Sequence, residues 1–336
     1  VKFVASGSAA AALKMKSNES GAGRFSDFTL PPLTFFEYLK LIGQDSIIVK
    51  NNKAIPIDTI DITCLNQHFI DYINYGGYPE VVVSHEIRAN PGQYIRHDII
   101  DKVLLRDLPS LYGIKDIQEL NKLFVHIAFL SGNEFSYESL SQGAGIKKET
   151  IKKYLEYLEA AFLIKVVNRI DQNARRMLRV TSFKIYLTNP SLRCALFTPI
   201  TDNDENIGNM VGTAIFSQWI QGGKSDFYYA NWAKGREKGE VDLVWTNPAT
   251  QKAFSLAEIK WTDRFADAPT ELKSLYHFLD NNPGIREIIV TSKTISKVYD
   301  SPKGQILFIP AALYAYWIST YLYNTQKKTN EEDNIM

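Results

Sequence analysis

Gly239-Glu-Val-Asp-Leu-Val-Trp245 and, shortly after, Phe254-Ser-Leu-Ala-Glu-Ile-Lys260 are largely apolar runs, the first carrying the acid Asp242 and the second an acid-x-lysine. The pair reads in two ways. It is a β-hairpin with charged edges, which needs no site to explain it, or it is the acidic core of a metal-dependent nuclease. A strand sends alternate side chains to one face, so Glu258 and Lys260 point the same way. Asp242 and Glu258 are flanked by Val241, Leu243, Ala257 and Ile259, among which an unpaired carboxylate is costly. Two such acids suit a hard cation such as Mg²⁺, with Lys260 orienting or deprotonating water and offsetting phosphate charge. Asp242, Glu258 and Lys260 are therefore the candidate catalytic residues, and Asp242 and Glu258 the candidate Mg²⁺ ligands.

The surroundings agree with an α/β fold. Residues 189–323 predict a helix over 206–221, strands near 226–230, 240–245 and 252–261, a helix over 269–281, strands over 287–291 and 305–309, and a last helix. Strands interleaved with helices in this way indicate a mixed central sheet. Gly222-Gly-Lys-Ser225 resembles the end of a P-loop, but Gln218 stands where the motif needs its first glycine, and the tetrapeptide follows a helix; it reads as a turn.

Upstream, residues 113–188 predict three helices, the third over 147–161, then strands over 162–169 and 179–187. That is the order of a winged helix-turn-helix. Lys147, Lys148, Lys152 and Lys153 crowd the third helix, where a DNA reader touches phosphates; the alternative is a solvated outer face, since no Arg, Asn or Gln there offers a base-reading fork. Residues 51–112 form a helical linker, with helices over 62–75 and 91–105 around a Gly76-Gly-Tyr-Pro79 turn. Residues 1–50 read as a strand, the Ser6-Gly-Ser8 turn, an alanine-rich helix and a helix capped by Thr34. The polar stretch 324–336 reads as a disordered tail.

Composition narrows function less. A length of 336 residues allows two or three domains, and a net charge of +1 leaves any nucleic-acid affinity to a local patch. Cys64 and Cys194 lie far apart and outside any ligand spacing, as do the five histidines, so a reduced, cytoplasmic setting is expected. The apolar stretch 306–323 carries Pro310, Ser319 and Thr320 and reads as buried structure, with no membrane partner expected. The chain opens on valine, and its start is expected to fall within a longer protein.

The series Ser6-Gly-Ser8, Gly23-Arg24, Leu30-Pro-Pro-Leu-Thr-Phe-Phe-Glu-Tyr38, Gly76-Gly-Tyr-Pro-Glu80, Leu105-Arg-Asp-Leu108, Tyr186-Leu-Thr-Asn189, Glu240-Val-Asp242 and Glu258-Ile-Lys260 resembles the bacterial and archaeal AAA-type ATPases that carry the C-terminal domain of unknown function 4143. The resemblance implies an α/β multidomain protein. Its parts would be the remnant of a P-loop AAA-type ATPase core over 1–50, a helical linker, a winged helix, and a restriction-endonuclease-like PD-(D/E)xK domain. It also implies that Walker A and Walker B precede this chain, so that ATP and Mg²⁺ would be bound by the full-length protein and not by this piece alone. Ser6 and Ser8 would face the γ-phosphate, and Arg24 would reach a neighbour's nucleotide in a homo-oligomer. The family's helix before the first sheet strand carries glutamates where Gly212 and Gln218 stand here, which implies weaker cation binding and a degenerate nuclease-like domain. The residues themselves keep two alternatives open: a Mg²⁺-dependent DNA nuclease, or a noncatalytic module that binds DNA or a protein partner.

Overall fold

Thr34 starts the first helix with a capping box, its hydroxyl accepting the N–H of Glu37 while the Glu37 carboxylate accepts the Thr34 N–H at 2.8 Å. The structure is a computed structural model and describes residues 30–50, 53–54, 56–176, 181–221, 226–234 and 237–333. Ser6, Ser8, Arg24 and the Gly222–Ser225 turn lie outside these residues.

Helix α1 (Phe35–Leu41) leads into a hairpin of β1 (Val49–Lys50) and β2 (Lys53–Ala54), then α2 (Ile62–Tyr75), which Asp61 caps. Short helical pieces follow, and the chain is helical over 91–112. The expected single helix over 91–105 is thus longer, and it is wound more widely at Ile95–Asp101 and Val103–Asp107. The buried residues Ile95 and Ile100 are five apart, a spacing that an α-helix would splay and a π turn brings onto one face. Gly113, at φ 64°, ends the run in the left-handed conformation that glycine adopts freely.

The next unit comprises α3 (Ile117–Phe129), β3 (Glu134–Phe135), α4 (Tyr137–Ala144), α5 (Lys148–Ala160), β4 (Ile164–Ile170) and β5 (Phe183–Leu187). Strand β3 was not expected from the sequence, because two residues are too few to show a period. Beyond it lie α6 (Ile207–Gln221), β6 (Phe227–Lys234), β7 (Glu237–Thr246), β8 (Ala253–Glu258), α7 (Lys273–Asn281), β9 (Glu287–Ser292), β10 (Lys297–Ser301), β11 (Gly304–Pro310) and α8 (Ala311–Asp333). Helix α8 includes residues 324–333 of the stretch that composition reads as a disordered tail; no Gly or Pro interrupts it there, and its Gln, Lys and Glu residues are good helix formers.

Nine strands form one mixed sheet in the order β10-β11-β9-β8-β7-β6-β4-β5-β3, so the chain is α/β. Pairs β11/β9, β8/β9 and β4/β6 are parallel and the rest antiparallel. Strands β4 and β5 pair as the hairpin expected of a wing, but β4 also joins β6 through Arg169↔Tyr229 and Ile170↔Ala230. Through that short link the strands after α5 reach the acidic strands. One core packs α1, α2, α6 and α8 together with inner residues of the sheet; a second lies among α3, α4 and α5, and a third holds α7 against β6 to β9.

Candidate functional site

A β-bulge shapes the acidic strand. Tyr228 pairs with Val244 and Ala230 with Val241, so two residues of β7, Asp242 and Leu243, stand against the single Tyr229 of β6. Gly239, in the same strand, is where the Trp232 ring lies; a Cβ there would run into the indole. On the other side Leu243 pairs with Ala257, and one step further along the antiparallel register Asp242 meets Glu258. Like charges facing each other across strands repel, and the surrounding groups answer that repulsion.

The Lys260 ammonium lies 2.6 Å from Glu258 Oε1 and 3.7 Å from Asp242 Oδ2. Asp242 Oδ2 also accepts the N–H of Ile259 at 3.0 Å, and Glu258 Oε2 accepts the N–H of Asp242 at 3.4 Å. Beyond the end of β8, Lys260 is tied to β9 on both main-chain groups: its N–H donates to the Thr291 hydroxyl at 2.6 Å, and that hydroxyl donates to its carbonyl at 2.7 Å. The next turn is braced as well. Trp261 and Lys293 both donate to Asp202, each at 2.7 Å, and Asp263 accepts the N–H groups of Lys293, Thr294 and Ile295. The three residues expected from the sequence therefore converge on one point.

Two further members escaped the sequence reading. Lys184, in β5, is 4% exposed and donates to Glu240 Oε1 at 2.5 Å and Asp242 Oδ1 at 3.2 Å. Glu240 in turn accepts Asn231 Nδ2 at 3.1 Å. The available signal was the lone cation in Phe183-Lys-Ile-Tyr-Leu187, since a lysine inside an otherwise apolar strand needs a carboxylate partner.

Electrostatics follow from this enclosure. Burial alone raises the Asp242 carboxyl, but Lys184 and Lys260 reverse that and hold it below the ordinary aspartate range. Glu258 behaves oppositely: burial and then the Asp242 charge push it up to about 7, against the pull of Lys260. Burial works against the charge on Lys260, yet Glu258 and Asp242 hold its pKa above the ordinary lysine value. Lys260 thus stays an ammonium, which suits orienting water and offsetting charge; the expected role of deprotonating water does not fit a lysine so held. Among the described residues no group of three or more His, Cys, Asp or Glu is arranged to hold a metal. Two carboxylates are the donor set of a Mg²⁺ that keeps several waters, rather than of an all-protein cage.

Gln218 is buried where α6 packs against α1, α2 and α8; its amide joins Phe35, Tyr72 and Ser319, and none of its hydrogen bonds reaches the acidic group. Its lack of charge is explained by that packing. Gly212 is half-buried and has nothing within 4 Å of an added Cβ, one turn before Phe216, which stacks on Tyr186 at 3.6 Å. Lys147, Lys148, Lys152 and Lys153 are all exposed at or on α5, with Lys148 paired to Glu138. Among the described residues they make no ion pair with the acidic group; the one ion pair they form there is Lys148 with Glu138.

No helix among the described residues is long and apolar enough to cross a membrane. Residues 66–204 match the family described as Domain of unknown function (DUF8612). An uncharacterized protein of Haemophilus influenzae is 24% identical over 277 residues, covering 81% of this chain and 61% of the relative. An uncharacterized protein of Methanocaldococcus jannaschii is 27% identical over 324 residues, covering 94% of this chain and 68% of the relative. The chain thus spans about three-fifths of the length of the first of these relatives. No solved structure matches. These matches correct the resemblance to AAA-type ATPases with domain 4143: the family found is a different domain of unknown function, and neither relative carries an ATPase description. The nucleotide roles of Ser6, Ser8 and Arg24 rested on that resemblance alone.

Proposed function

We propose that the chain hydrolyses phosphodiester bonds in nucleic acid with a divalent cation at Asp242 and Glu258. The observation that carries this reading is the meeting of Asp242, Glu258 and the Lys260 ammonium from two adjacent strands. The element order supports it. Helix α6, the antiparallel strands β6, β7 and β8, helix α7 and the parallel strand β9 form a helix, three-strand, helix, strand unit, with the acid in its second strand and Glu-x-Lys at the end of its third. That is the arrangement expected of a PD-(D/E)xK nuclease domain.

Asp242 and Glu258 would hold Mg²⁺, which when bound supplies Lewis-acid stabilisation of the charge that builds on the phosphate. Lys260, kept charged and anchored through Thr291, donates to the attacking water or to a phosphate oxygen. Water adds to phosphorus and gives up a proton to solvent, one P–O ester bond breaks, and the leaving oxygen takes a proton from solvent and departs as an alcohol. The unit from α3 to β5, with three helices followed by a hairpin, supports a winged-helix reading in which the exposed lysines of α5 bear on phosphates.

The test is cleavage of plasmid and of single- and double-stranded oligonucleotides with Mg²⁺ or Mn²⁺. Cleavage that is lost on chelation and in Asp242→Ala supports the proposal; equal cleavage by Asp242→Ala removes these residues from the chemistry. DNA binding without cleavage, sensitive to the α5 lysines, favours a noncatalytic module.

A further inference from the structure

Lys184 belongs to neither acid-bearing run, yet it is the most enclosed charge of the site. Its strand is buried at all five positions, and its ammonium lies 5.3 Å from the Tyr229 ring centroid before meeting Glu240 and Asp242. Asp242 is therefore flanked by two ammonium groups, Lys184 at Oδ1 and Lys260 toward Oδ2. A divalent cation arriving at Asp242 and Glu258 meets like charge from both sides.

The two lysines differ in what else holds them. Lys260 is tied by its main chain to Thr291 and by its side chain to Glu258, itself one of the two acids. Lys184 has an alternative partner outside the pair: Glu240 is nearer than Asp242, at 2.5 Å against 3.2 Å, and its side chain is 41% exposed. Its second oxygen is steadied by Asn231.

We propose, resting on the metal-site reading above, that Lys184 is the resident counter-cation of the site, neutralising Asp242 without a divalent cation and withdrawing to Glu240 alone when one binds. The incoming cation takes over Asp242 while Lys184 keeps Glu240, so neither state leaves an uncompensated buried carboxylate. Because Lys184 comes from β5, cation binding at β7 and β8 is felt by the strand pair that follows α5.

The experiment is Mn²⁺ titration of the full chain, followed by the electron paramagnetic resonance of free Mn²⁺, with circular dichroism to verify folding. Lys184→Met, which removes the competing charge, should bind Mn²⁺ roughly tenfold more tightly than the wild type. Glu240→Gln, which leaves Asp242 as the only carboxylate for Lys184, should bind roughly tenfold more weakly. A purely structural Lys184 predicts the reverse for Lys184→Met, a looser site and weaker binding, and that result overturns the proposal. Equal affinities in the wild type and both variants also overturn it while leaving the metal reading standing. Absence of Mn²⁺ binding in all three overturns both. If Lys184→Met does not fold, Lys184→Gln replaces it: tighter binding supports the exchange, and unchanged or weaker binding rejects it.

Discussion

Gln218 accepts the backbone N–H of Phe35 at 2.8 Å, joining residues 183 apart in the chain. The same oxygen accepts the Ser319 hydroxyl, and the amide nitrogen donates to the Tyr72 hydroxyl and the Ala214 carbonyl. One side-chain amide thus ties α1, α2, α6 and α8 together. Gln218→Glu removes the two donors and buries a charge, so it should destabilise the protein by about 2–4 kcal/mol. Urea unfolding measures this, and a loss below about 1 kcal/mol would show that the amide is not a packing node.

Gly212 gives the opposite expectation on the same helix. It lies inside α6 with open space around its Cβ direction. Gly212→Ala removes backbone freedom from the unfolded chain at no steric cost and should stabilise by about 0.5–1 kcal/mol, with a higher Tm. A lower Tm would mean that the space is needed by something that moves.

Glu258 sets a pH dependence. Folding raises its pKa from the ordinary 4.5 to about 7, through burial first and Asp242 second. Its neutral form is the one that folding favours. The stability it contributes is therefore whole below the ordinary glutamate range and is lost as pH rises to about 7. Glu258→Gln stays neutral throughout, so it should gain on the wild type between pH 4.5 and pH 8, by an amount on the order of 1–3 kcal/mol. Thermal unfolding of both proteins across that range checks the sign; a constant difference rejects it.

The α5 lysines answer to salt. If Lys148, Lys152 and Lys153 touch duplex phosphates, the plot of log affinity against log salt loses about 0.9 of slope for each one replaced by alanine. Fluorescence anisotropy with a labelled duplex measures it. An unchanged slope in the triple variant assigns these lysines to a solvated face.

Period and punctuation were enough to determine much of this protein from sequence. The alternation through Glu258 and Lys260, the helical spacing in α3 and α5, and the interleaving of strands with helices required an α/β fold, because a buried face must repeat with the geometry of its own backbone. Asp242 and the Glu258-Ile-Lys260 triplet were legible for the same reason: acids among apolar neighbours demand partners. The partners were not legible. Lys184 is 58 residues from Asp242, Gln218 is 183 from Phe35, and the bulge at Asp242 and Leu243 depends on how β6 registers against β7. Those are long-range pairings, set by which surfaces meet when the sheet closes, and no local pattern encodes them. Tertiary structure alone decided that Gln218 is a joint between helices and that the acidic pair is held between two lysines.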